Sequence, residues 1–145
     1  MFTHSRRIRF SDTDLAGIVH FANFYRFMEE AEHELFRSLD LKILEELPDG
    51  SSVGWPRVAA ACSFQAPAYY DDLIEIDIDT TRVGQKSLTM SFRFRRGQQQ
   101  LALGELKTVY CRRRQGGKFE SAEMPAACRE KLSRLSANER ASENP

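Results

Sequence analysis

The chain has 145 residues, with 21 Lys and Arg against 21 Asp and Glu, a length that supports one hydrophobic core and excludes two full domains. Ten Phe, four Tyr and one Trp supply enough aromatic area to offset chain entropy, which excludes wholesale disorder. Zero formal net charge argues against a nucleic-acid partner, because displacing counterions from phosphates needs an excess of Lys and Arg.

The longest run without a charged residue, Val58 to Tyr70, is shorter than the roughly 18 apolar residues that span a bilayer, so no membrane span is expected. The opening MFTHSRRIRFSD lacks the apolar stretch and cleavage site of a secretory signal, and a cytoplasmic location is expected. Cys62, Cys111 and Cys128 are odd in number and fall outside any CxxC or Cys/His zinc spacing. They read as small buried hydrophobes, with no disulfide framework and no metal site.

In chain order, Arg6 to Phe10 alternates, with Ile8 and Phe10 on one face, and predicts a short strand ending at the turn-forming Ser11-Asp12-Thr13-Asp14. From His20 to Leu39, Phe24, Phe27, Met28, Ala31, Leu35 and Leu39 recur at steps of three and four, which predicts a long amphipathic helix. Phe21, Tyr25 and Phe36 widen its apolar arc to about half the circumference, so an enclosed helix is expected. Glu45 to Gly54, rich in Pro, Asp, Gly and Ser, predicts a long surface loop. Period-two alternation then predicts strands at Val58–Phe64, Ile74–Ile78, Leu88–Phe94 and Leu101–Arg112, the last bulged at Gly104. Pro125 to Leu135 predicts a short helix, which makes residues 1–135 one domain and 136–145 a polar mobile tail. A half-apolar helix followed by four one-faced strands is satisfied by an α+β fold in which a curved antiparallel sheet wraps the helix. Exposed strand edges then predict a homo-oligomer.

The segment with most chemistry is Phe10 to Leu35, where Asp12, Asp14, Gly17 and His20 crowd the strand-to-helix junction. Both carboxylates fit turn and capping roles. An Asp near a helix N-terminus also sits at the positive end of the backbone dipole, which favours the ionised form needed by a nucleophile or general base. Free N–H groups at the same helix start would stabilise an oxyanion on a substrate carbonyl.

Asp12-x-Asp14-x-x-Gly17-Ile18-Val19-x-Phe21-x-Asn23-Phe24, followed by Phe27-Met28-Glu29-Glu30-Ala31, resembles the opening signature of the 4-hydroxybenzoyl-CoA thioesterase-like hotdog-fold acyl-CoA thioesterases. The likeness continues more weakly through Phe64 to Asp72 and Val83 to Ser87. It implies a hotdog fold, hydrolysis of an acyl-CoA or acyl carrier protein thioester, no metal or organic cofactor, and a homodimer or homotetramer. It implies that Asp14, the second Asp of the pair, is the catalytic carboxylate and that the backbone N–H near Phe21 is the oxyanion donor. Asp12 would shape the turn. Gly17, His20 and Lys86 are carried over as substrate-binding positions, with Arg93, Arg95, Arg96 and Arg112 to Arg114 as further candidates for CoA phosphates. Several members of the family place Tyr-His where this chain has His20-Phe21, so the imidazole is displaced by one position. Glu29 reads as a helix carboxylate satisfied by His33, and Asn23 as a helix cap. Two alternatives remain open: a non-catalytic acyl-thioester binding module, and an enoyl thioester hydratase using Asp14 and His20. The hydratase is the weaker of these, since DLAGIVH lacks the Asn-Pro such enzymes carry between their pair.

Overall fold

Side-chain alternation, the dominant signal in the second half of the sequence, becomes a five-stranded antiparallel sheet in the computed structural model, which describes residues 1–140 and side chains through position 136. The elements are β1 (Phe2–Arg7), a single 3-10 turn (Phe10–Asp12), α1 (Phe21–Ser38), β2 (Leu44–Glu46), β3 (Ser52–Gly54), β4 (Arg57–Phe64), β5 (Leu73–Val83), β6 (Ser87–Arg96), β7 (Gln99–Val109), β8 (Cys111–Arg113), β9 (Phe119–Ser121) and α2 (Ala126–Arg140). The large sheet has the order β1-β5-β6-β7-β4 and the small one β2-β3-β8-β9. The class is α+β, as expected.

The inner face of the large sheet presents Ile74, Ile76 and Ile78 from β5, Leu88, Met90, Phe92 and Phe94 from β6, and Ala102 and Leu106 from β7, all buried. Against them α1 lays Phe24, Phe27, Met28, Ala31 and Leu35. Burial of each large side chain contributes about 1.5–3 kcal/mol. Gly104 sets how closely helix and sheet approach: a Cβ there would lie 2.3 Å from Met28 Sδ. Gly104 pairs in register with Cys62 and Phe92, and the irregularities fall elsewhere, at Arg57/Ala59, Thr80/Arg82 and Phe94/Arg95. The glycine therefore marks a close approach, and the bulge expected at this position is corrected.

Other expectations are corrected in the same way. The first strand is Phe2–Arg7, not Arg6–Phe10; Ile8 is buried, whereas Phe10 lies in the 3-10 turn and is 78% exposed. The Glu45–Gly54 segment is a hairpin, with β2 and β3 paired around a turn in which Leu47 N donates to Ser51 O (2.8 Å) and Gly50 takes φ +82°. The strand expected at Leu101–Arg112 divides at Tyr110 into β7 and β8. Helix α2 runs through Arg140, past the boundary at 135, while 141–145 lie outside the described residues.

No described helix is long and apolar enough to cross a membrane. All three cysteines are free thiols; Cys111 and Cys128 are buried and Cys62 is half-buried. Burial pushes the Cys62 thiol up to about 11, which leaves it protonated and unreactive near neutrality.

Candidate active site

Asp14 stands at the base of a tight hairpin between the 3-10 turn and α1. Asp14 N donates to Ile18 O (2.9 Å), Gly17 N donates to Asp14 O (2.9 Å), and Gly17 takes φ +78°. This is the three-residue loop closed by a left-handed residue, a conformation that favours glycine. The carboxylate is fixed by the same loop: Asp14 Oδ1 accepts from Ala16 N (2.8 Å), an Asx turn. No hydrogen bond involves its second oxygen among the described residues. Gly17 thus shapes the loop and does not itself line the cavity that Asp14 faces.

Asp12 anchors the hairpin from below. Its Oδ2 accepts from Arg9 N (2.7 Å), and both oxygens accept from Arg6 Nη2 (3.1 and 3.0 Å). Arg6 also pairs with Glu30 of α1, whose other oxygen lies 3.0 Å from His4 Nε2, and its guanidinium carbon sits 4.2 Å above the Phe27 ring. Burial opposes ionisation of Glu30, yet the hydrogen bonds from Arg6 and His4 hold it below the usual carboxylate range. Asn23 Nδ2 donates to Asp12 O (2.8 Å), tying the turn to the first turn of α1. The helix cap is instead His20, whose Nδ1 accepts from Ala22 N (3.1 Å). This corrects the reading of Asn23.

The far side of the hairpin is pinned to the segment after β4, with Val19 N donating to Ala68 O (2.8 Å) and Ile18 bridging Tyr69. Between the two lies a cavity of about 440 Å³ lined by Asp14, Ile18, Val19, Phe21, Phe24, Phe64, Gln65, Ala66, Pro67 and Ala68. Among the described residues Asp14 is its one ionisable lining residue. Phe21 is the first residue of α1, and among the described residues its N–H has no assigned acceptor. Asp14 and Phe21, the first residue of α1, thus line one apolar chamber; a carboxylate can attack a carbonyl or activate water against it, and a helix-start N–H can receive the resulting oxyanion.

The remaining predicted positions separate. The His20 ring stacks on Phe21 (4.7 Å between centroids), does not line the cavity, and makes no hydrogen bond to Asp14 among the described residues. Lys86 is exposed in the turn before β6, whereas Phe94, which touches the cavity-lining Phe24 and lies near the other end of β6, is eight residues on. At about 3.3 Å per residue that is roughly 26 Å, so one protomer does not bring Lys86 to its own Asp14. Arg93 and Arg95 are engaged by Asp77, Arg95 also by Glu75, Arg96 by Asp72 and Arg112 by Asp49. These pairs occupy guanidinium donors that were expected to face phosphate. A smaller cavity of about 230 Å³ near Asp77 and Arg93 lies on the outer sheet face, away from Asp14.

Sequence reasoning missed a second polar cluster. Glu32 is fully buried on the apolar side of α1 and pairs with Arg57 of β4, its Oε1 unpartnered. Burial, reinforced by Glu29, raises Glu32 to about 7 against the opposing pull of Arg57. Glu29 reaches Arg57 at 3.4 Å, which replaces His33 as its expected partner. The signal was present: 28, 31, 32 and 35 follow helical face spacing, so Glu32 falls in the buried stripe.

Residues 8–132 match the family model described as the thioesterase-like superfamily. A 1,4-dihydroxy-2-naphthoyl-CoA hydrolase from Synechococcus elongatus is 31% identical over 104 residues, covering 72% of this chain and 76% of that protein. Among solved structures, a gentisyl-coenzyme A thioesterase superposes with TM-score 0.73 at 26% identity, covering 91% of this chain and 99% of the other. A 1,4-dihydroxy-2-naphthoyl-CoA thioesterase from Synechocystis superposes with TM-score 0.80 at 24% identity, covering 92% and 96%.

Proposed function

The chain belongs to the thioesterase-like superfamily, and from that premise we propose that it hydrolyses an acyl-CoA thioester to a carboxylic acid and free CoA, with Asp14 as the catalytic carboxylate. The observation that carries this reading is the meeting of Asp14 and the start of α1 at one apolar cavity. Asp14 attacks the thioester carbonyl to give a mixed anhydride, or it takes a proton from the attacking water. In either route the carbonyl oxygen gains negative charge, which the Phe21 N–H and the dipole of α1 stabilise. Thiolate leaves and is protonated to free CoA; on the anhydride route a water molecule then cleaves the anhydride, releasing the carboxylic acid and restoring Asp14. The chemistry calls on no metal or organic cofactor. The cavity suits a compact acyl group, and two of the relatives above 25% identity are named for hydroxylated aromatic acyl-CoA substrates, so an aromatic acyl group is the substrate class we favour.

In this reading the fold is a hotdog, the large sheet curving around α1, and the working unit is at least a homodimer. Support for the dimer comes from β4, the last strand of the large sheet, whose outer backbone groups need partners. Three free thiols fit a reducing, cytoplasmic setting. The test follows thiol release from a panel of acyl-CoAs; turnover of an aromatic member supports the proposal, and absence of release from every member refutes it.

A further inference from the structure

The free edge of β4 has a composition unlike that of a protected edge. From Val58 to Ser63 it reads Val-Ala-Ala-Ala-Cys-Ser, with no charge and no Pro, and every residue of the strand is exposed except the half-buried Cys62. Such an edge is a template for another strand. A second copy fits it by a two-fold axis normal to the sheet, which pairs β4 antiparallel with itself and keeps both α1 helices on one side. The register in which every residue from Val58 to Phe64 is paired puts Ala61 opposite Ala61 of the other copy, and it also matches inner with inner faces.

That register has a consequence for Arg57. Ala60, Cys62 and Phe64 lie on the inner face, opposite Leu106, Gly104 and Ala102; the irregularity between Arg57 and Ala59 turns Arg57 onto the same face, opposite Thr108. There Glu32 and Glu29 hold it through Nη2, and its other nitrogens make no hydrogen bond among the described residues. Along β4, Arg57 is about 23 Å from Phe64 of its own cavity. Across the two-fold, Val58 of one copy faces Phe64 of the other, and Arg57 falls one step beyond, at the Gln65–Ala66 wall of the other copy's cavity.

We propose that Arg57 acts in trans: each copy supplies its Arg57, positioned by Glu32 and Glu29, as a hydrogen-bond donor to an acceptor oxygen of the thioester bound beside Asp14 of the other copy. The proposal rests on the thioesterase and dimer readings, and the experiment separates their failures. Chains carrying Asp14→Asn and Arg57→Ala, with different tags, are co-expressed and the mixed dimer is purified. It has one site with both residues intact and one with neither, so it is expected to show about half the unmodified rate, while Arg57→Ala homodimers lose about tenfold or more in kcat/KM. If Arg57→Ala disturbs folding by stranding Glu32, the paired change Glu32→Met with Arg57→Met replaces it in the same mixed dimer. Loss confined to hydroxybenzoyl-CoA relative to benzoyl-CoA locates the acceptor on the acyl group; equal loss on both locates it on the thioester or pantetheine arm. A mixed dimer no faster than the Arg57-variant homodimer, or Arg57→Ala homodimers at the unmodified rate, overturns the proposal. Should the unmodified protein release no thiol, the hydrolase reading falls, and Ala61→Cys still decides the placement: a residue on the axis faces itself, so a disulfide-linked dimer on a non-reducing gel supports the register, and its absence overturns it.

Discussion

Replacing Gly104 with Ala tests the helix-to-sheet spacing on which the cavity depends. The new Cβ would meet Met28 Sδ at 2.3 Å and Cε at 3.4 Å, where carbon contacts prefer about 3.5–4.0 Å. Met28 is fully buried, so its side chain must leave its rotamer or α1 must lift. Overpacking of this kind costs about 1–3 kcal/mol. Met28→Ala alone empties the space and is expected to cost about 2–5 kcal/mol. Because the two side chains compete for one volume, the double variant is expected to be more stable than the sum of the singles, by at least about 1 kcal/mol of coupling. Urea unfolding of the four proteins measures the cycle, with m-values compared to confirm two-state behaviour. Strict additivity would refute the close contact and, with it, the assignment of Gly104 as the spacer.

Three further predictions concern the supports of the site. Asp12→Ala removes one of the two carboxylates that Arg6 engages, leaving Glu30, and is expected to cost about 1–3 kcal/mol, read by urea unfolding, and to lower turnover because the hairpin loses its anchor; unchanged stability would contradict the network. Gly17→Ala forces a Cβ into φ +78°, expected to cost about 1–2 kcal/mol, with kcat falling more than the binding of a non-hydrolysable acyl-CoA analogue; equal loss of both would contradict a role in aiming Asp14. For Glu32, the folded value of about 7 lies above the ordinary 4.5, so the folded state binds the extra proton between those values. Its contribution to stability is therefore greatest below 4.5, declines up to about 7 and is flat above, a change of about 3 kcal/mol. Glu32→Gln should gain relative stability by about that amount between pH 4.5 and 7.5, and parallel unfolding profiles would contradict the assignment.

How far the sequence could be read varies with the signal each element carries. Strands β5 and β6 were legible because Ile74, Ile76, Ile78, Leu88, Met90, Phe92 and Phe94 alternate with polar residues on a one-faced sheet. Strand β1 was not, because its sequence FTHSRR places His4 and Arg6 where an apolar pattern would be sought, and both find their partner in Glu30. The β2–β3 hairpin was hidden in turn-rich composition, and its pairing to β8 depends on contacts distant in sequence. At the site, Asp14 and Phe21 were legible from motif and helix start alike, and the structure brings both to one cavity. The Arg6–Asp12 bridge and the Glu32–Arg57 pair were not, since ion pairs between separate elements leave no periodic trace. The pairing of Arg93, Arg95, Arg96 and Arg112 was hidden for the same reason: local sequence shows their charge, while the carboxylates that engage it come from other elements.

The central claim is tested most directly by Asp14→Asn. Asparagine can accept from Ala16 N through its carbonyl oxygen and so preserve the loop, while losing the charge needed for attack or proton transfer. With an aromatic acyl-CoA the variant is expected to bind substrate as the unmodified protein does and to release thiol about 10²- to 10⁴-fold more slowly. Release at the unmodified rate would contradict the account.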